Sequence, residues 1–161
     1  MDYEAIRESF RPTQIRILFV GESRPASGKF FYIGSPMTGY MAQAFSAVCK
    51  RPFKSDMEFL DFFKSECCYL DDLSHAPVDD LPSKQRKQIL DAGVDQLAKR
   101  IREYNPNHVV AVLKSIESSV REAAERAEFK GAVDAVPFPG MSHQNKFVEE
   151  LTVILRAIYE S

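Results

Sequence analysis

IRILFVGESRPASGKFFYIGSP, residues 15–36, decides how this chain folds. Its first six residues, Ile15 to Val20, form a nearly continuous apolar run ended by Gly21, the pattern of a central strand covered on both faces in a parallel sheet. A Gly/Pro-punctuated loop follows from Gly21 to Pro36. Beyond it, Met37, Met41, Ala44, Phe45 and Val48 recur at helical spacing and predict a helix over Thr38 to Cys49. Phe59, Leu60, Phe62 and Phe63 suggest a short helix turning into a second strand, Cys67 to Leu73, before a loop holding Pro77 and Pro82. Ser83 reads as an N-cap for a helix with Leu90, Val94, Leu97, Ile101 and Tyr104 on one stripe, stopped by Asn105-Pro106. His108 to Leu113 reads as a third strand. Ile116, Val120, Ala124 and Ala127 give another helix, Ala132 to Phe138 a fourth strand, and Phe147, Leu151, Ile154, Leu155 and Ile158 a last helix. This alternation predicts an α/β protein, a three-layer α/β/α sandwich around a mostly parallel four-stranded sheet with right-handed crossovers.

The length, 161 residues, suits one domain over 1–161 with one core. Twenty-one Lys+Arg against 23 Asp+Glu give a net charge of -2, so the molecule as a whole cannot draw in nucleic acid or anionic lipid, and any polyanion binding must be local. No apolar run approaches the roughly 20 residues that span a bilayer, and MDYEAIRESF lacks the basic-then-apolar pattern of a signal peptide. A cytoplasmic monomer away from membranes is the expectation. Cys49, Cys67 and Cys68 are odd in number, with two adjacent, so free thiols are expected. Neither they nor His75, His108 and His143 have metal-ligand spacing, so no metal and no cofactor is expected.

In parallel sheets the ligand crevice lies beyond the carboxyl ends of the strands. That rule selects Gly21-Glu22-Ser23-Arg24-Pro25, Asp71-Asp72-Leu73-Ser74-His75, Lys114-Ser115 and Pro137 to His143. Phe30, Phe31 and Tyr32 follow the first of these in a row. They suit either caps on the core or a stacking platform for a planar ligand such as a nucleobase.

FVGESRPASGKFFYIGS and VPFPGMSHQNKF resemble the two motifs of the uracil-DNA glycosylase superfamily, the first after the first strand and the second after the fourth. The resemblance runs from about Ile15 to the C-terminus and implies that fold and the hydrolysis of an N-glycosidic bond to a damaged or deaminated base. Such enzymes flip the nucleotide into a pocket and read the base edge by hydrogen bonds. The departing base is anionic and the sugar oxocarbenium-like, so both charges need stabilising.

By this resemblance Glu22 orients water or stabilises the cationic sugar, and Ser23 takes the place that some families fill with Asp or Asn. Gly21 belongs to the base pocket, and Phe31 stacks on the base, with Phe30 or Tyr32 as alternatives. Asp71 aligns with the Asn that pairs with uracil; an ionised Asp has only acceptors and suits a base presenting amino groups. Phe138 replaces the His that stabilises the leaving anion, and His143 becomes the substitute. The segment Pro139 to Asn145, with Ser142, would press into a DNA minor groove. Arg24, Lys29, Lys114 and Lys146 are the candidate phosphate contacts. His75 matches a subgroup whose His captures the sugar covalently. The implied partner is DNA, bound weakly and locally, or a free nucleobase.

Plainer roles fit the same residues: Glu22 capping its own loop, Asp71 and Asp72 forming a turn, His143 at a helix surface. Two other functions fit as well. One is a Gly-Asp-Ser-like esterase with Ser23 as nucleophile and Asp72-Leu-Ser-His75 as its partners. The other is a catalytically degenerate member of the glycosylase fold that binds a nucleobase or DNA without cleaving.

Overall fold

The computed structural model describes residues 1–160; Ser161, the last residue of the expected domain, lies outside them. Four parallel strands, β1 (Ile17–Gly21), β2 (Cys68–Asp72), β3 (His108–Ala111) and β4 (Ala132–Ala135), form a sheet in the order β2-β1-β3-β4. The IRILFV segment is thus central, and every residue of β1 and β2 is buried. Six helices accompany the strands among the described residues: α1 (Tyr3–Ser9), α2 (Pro36–Cys49), α3 (Asp56–Ser65), α4 (Ser83–Tyr104), α5 (Glu117–Arg126) and α6 (Gln144–Tyr159).

The pairing register sorts these helices into two layers. Phe19 of β1 pairs with Leu70 of β2, and Leu18 with Tyr69, so Phe19 and Tyr69 point to opposite faces of the sheet. Phe19 meets Phe45 of α2 and Phe63 of α3, at ring separations of 6.2 and 5.5 Å. Tyr69 meets Tyr104 of α4 edge-on at 5.9 Å. Helix α6 packs on α2, and α5 on α4. Phe45 is the hub of the first layer, touching Phe59, Phe62, Phe63 and Tyr159. Most of the aromatic area of the chain is spent on this one core.

Several expectations are corrected. Pro82, not Ser83, stands at the N-cap of α4; Ser83 is its first residue, and no side chain caps this end. Within the expected loop from Gly21 to Pro36, Phe31–Ile33 form a short 3-10 turn. The third and fourth strands stop at Ala111 and Ala135, leaving Val112, Leu113 and Phe138 beyond the sheet. Helix α1 has no counterpart in the sequence reading, because its seven residues carry no apolar stripe; Asp2 caps it by accepting from the Ala5 N–H at 3.0 Å. Cys49, Cys67 and Cys68 are free thiols, and burial pushes the Cys68 thiol up. No described helix is long and apolar enough to cross a membrane.

Candidate functional site

The carboxyl ends of β1, β2 and β3 open into a cavity of about 740 Å³, within the range of small-molecule sites. Glu22, Ser23 and Arg24 enter it from the loop after β1, Leu70 and Asp72 from β2, and Val112 and Leu113 from the end of β3. Phe30 and Phe31 form an aromatic wall, Ser35, Pro36 and Met37 at the start of α2 a second, non-aromatic one, and Phe138, Pro139 and Gly140 the side toward α6. The loop after β1 and the loop after β4, remote in sequence, therefore border one cavity.

The aromatic run divides its labour. Phe30 and Phe31 line the cavity, each almost buried, whereas Tyr32 points into the core and is outside the lining. The Tyr32 hydroxyl accepts from the Leu70 N–H at 2.6 Å and donates to the Leu70 carbonyl at 2.8 Å. Because β2 is an edge strand, this single hydroxyl closes a backbone pair that would otherwise lack a neighbour. Tyr32→Phe is expected to cost about 1–3 kcal/mol by leaving both groups buried and unsatisfied, read as a lower urea midpoint. A midpoint equal to that of the parent would refute this role.

Asp71 likewise lies outside the cavity, and Asp72 takes the position expected of it. Successive residues of a strand point to opposite sides, and the pairing of Gly21 with Asp72 sets Asp72 at the mouth of β1. A Cβ on Gly21 would stand 2.5 Å from Asp72 Oδ1, so a glycine at this point makes room for the carboxylate. Asp71 instead accepts from Arg100 Nη1 at 2.6 Å and bonds His75 Nε2 at 2.7 Å. Between the two aspartates lies Arg7 of α1, only 2% exposed, with Nη1 3.4 Å from Asp71 Oδ1 and Nη2 3.0 Å from Asp72 Oδ2. It also sits over the Phe30 ring at 5.3 Å.

Burial would raise the Asp71 carboxyl, but the His75 bond and the Arg100 and Arg7 charges outweigh it and hold this group well below the usual carboxylate range. For Asp72 burial wins: its carboxyl is pushed up, offset only in part by Arg7. Burial also opposes the Arg7 charge, yet Asp72, Asp71 and Glu4 together keep the guanidinium firmly protonated.

Glu22 bonds the Arg86 guanidinium of α4, which also lines the cavity. Arg24 lies over the Tyr3 ring at 4.1 Å, and both it and Lys29 are lining residues. The other candidates lie elsewhere. His143 is an exposed N-cap residue of α6 whose side chain makes no capping bond; Gln144, not His143, reaches the cavity. Met141 and Ser142 adopt left-handed φ of 52° and 72° in the exposed turn before it, and Lys146 is exposed in the first turn of α6, outside the lining. Lys114 Nζ donates to the Ala135 carbonyl at 2.9 Å. His75 has Nδ1 3.3 Å from Glu4 and Nε2 on Asp71, and it is not a lining residue. Ser23 and His75 are therefore not brought together as a nucleophile–base pair.

Arg7 and Arg86 are the site groups that sequence reading missed, and Asp72, named there as a strand-end and esterase residue, takes the base-pocket place expected of Asp71. No motif marks Arg7 or Arg86, because each reaches its partner only through the docking of a helix. Choosing Asp72 over Asp71 needs the strand register. Among the described residues no cluster of three or more His, Cys, Asp or Glu is placed to hold a metal ion. No protein-family model matches the chain, and no curated protein matches it in sequence.

Proposed function

We propose that the cavity takes up a single nucleobase extruded from a DNA strand and that the protein hydrolyses its N-glycosidic bond, as the resemblance to the uracil-DNA glycosylase superfamily implies. The observation that carries this reading is the convergence of the loop after β1 and the loop after β4 on one cavity holding an aromatic wall and a charged Glu22. A base lies against Phe30 and Phe31. The Glu22 carboxylate stabilises the cationic sugar and orients the attacking water. Asp72 Oδ1 accepts from the base edge while Arg7 occupies Oδ2, which favours bases that present an amino or ring N–H donor over a carbonyl.

The test is strand nicking: the protein is incubated with labelled oligonucleotides bearing one uracil, hypoxanthine, xanthine or unmodified base, then treated with hot alkali. An abasic site formed from one of the altered bases is expected. Intact substrate at high protein concentration, with the fold preserved, would transfer the site to binding without cleavage. That second reading is favoured by one feature, the Phe138 ring, which is 52% exposed beside the cavity and offers no hydrogen-bond donor to a leaving base.

Salt dependence tests the DNA contacts. With Arg24 and Lys29 as the two phosphate contacts at the cavity, affinity should fall about tenfold between about 50 and about 200 mM salt. An unchanged affinity over that range, in a fluorescence anisotropy titration, would remove both contacts.

A further inference from the structure

Breaking a glycosidic bond by heterolysis places positive charge on the sugar and negative charge on the base, two neighbouring groups of opposite sign. The cavity wall carries a matching pair, the Glu22 carboxylate bonded to the Arg86 guanidinium. We propose that Arg86 receives the negative charge of the departing base, so that the Glu22–Arg86 pair is a preset dipole aligned with the charge separation; this rests on the glycosylase reading above.

Three observations carry the assignment. The side chains that the loop after β4 brings to the cavity, Phe138 and Pro139, carry no hydrogen-bond donor, so a side-chain donor to the leaving base must come from another element. Of the cations lining the cavity, Arg24 is engaged with the Tyr3 ring and Lys29 lies on an exposed loop, while Arg86 is fixed directly on Glu22. A guanidinium has five N–H donors in a rigid fork, and Glu22 engages it through Nη2, which leaves donors for a ligand. The pair is also placed at the wall and not behind it: side-chain exposure is 39% for Arg86 and 14% for Glu22. The acidic lining groups do not take this role: Asp72 is paired with Arg7, and Asp79 accepts from the Ala26 N–H at 3.1 Å.

The step balances without a cofactor. The C1′–N bond breaks and its electron pair leaves on the base nitrogen, where Arg86 donates a hydrogen bond to the anion. Water adds to C1′ and gives its proton to Glu22, which returns it to the base; the products are an abasic sugar and a neutral base.

The experiment compares Arg86→Gln and Arg86→Lys with the parent in single-turnover cleavage of oligonucleotides bearing uracil or 5-fluorouracil, and cytosine or 5-fluorocytosine. Fluorine makes each base a better leaving group with little change in shape. Arg86→Gln should slow the unfluorinated base of a pair by about 100-fold, the scale of one lost anion-stabilising donor, and its fluorinated partner by less than about tenfold. Arg86→Lys should recover part of the loss. An equal loss on both members of a pair would make Arg86 a binding or structural residue and overturn the proposal. A second arm follows binding of free 5-fluorouracil across the pH range in which that base ionises. Tighter binding of the anion by the parent, abolished in Arg86→Gln, is expected, and identical pH dependence in both proteins overturns the proposal. If no base is cleaved while the anion preference persists, the glycosylase reading fails and the anion-receiving role of Arg86 stands.

Discussion

Glu22→Gln is expected to lower the rate of base excision by about 10²–10⁴-fold, the range for loss of a positioned carboxylate acting in proton transfer. The substitution is almost isosteric, and the amide oxygen can still accept from Arg86, so the ion pair becomes a neutral hydrogen bond without opening the wall. What disappears, in the proposed reaction, is the negative charge toward the developing sugar cation, together with the acceptor for the proton of water. In that proposed reaction Glu22 acts on the transition state and not on the ground state, so binding of the substrate oligonucleotide should change little. Single-turnover cleavage with protein in excess separates the two quantities. A variant that cleaves at the parent rate would reduce Glu22 to a group that holds Arg86 and the loop after β1.

Arg7→Met should destabilise the fold by about 3–5 kcal/mol, the cost of breaking a buried ion pair from one side. Methionine fills much of the volume but leaves Asp72 buried without its counter-ion and Asp71 with only Arg100 and His75. It also removes the cation over Phe30, so the damage reaches the aromatic wall of the cavity. Urea unfolding measures the loss, and a loss under about 1 kcal/mol would show that solvent already screens the cluster. Adding Asp72→Asn to Arg7→Met should recover part of the stability, because it removes the stranded charge.

The same cluster gives the molecule an acid-side response of known sign. The carboxyl of Asp71 is held low in the folded state, so its contribution is fully present above the unfolded value near pH 4 and is lost as pH falls toward the folded value. Asp72, pushed up by burial, acts in the opposite sense: protonation relieves it, and stability gained through it on acidification partly offsets what Asp71 loses.

The strand–helix alternation is legible in the amino-acid order before any tertiary contact is known. Runs such as IRILFV and HVVAVL must be covered on both faces, and the 3.6-residue stripe of α4 must lie against a sheet; these are local consequences of burying apolar area. The same order also marks the loops after the first and fourth strands as special, because Gly-Glu-Ser-Arg-Pro and Pro-Phe-Pro-Gly punctuate the ends of apolar runs. Helix α1 escaped that reading because it has a buried arginine where a periodic apolar residue would have marked it. Which neighbours face the cavity, Asp72 over Asp71 and Phe30 with Phe31 over Tyr32, depends on contacts made only in the folded chain. The first choice follows from the register between β1 and β2, and the second from a backbone pair on the edge of β2 that the Tyr32 hydroxyl satisfies. Register and long-range hydrogen bonds join residues tens of positions apart, and no local pattern carries that information. The meeting of Glu22 with Arg86 across 64 positions is of the same kind.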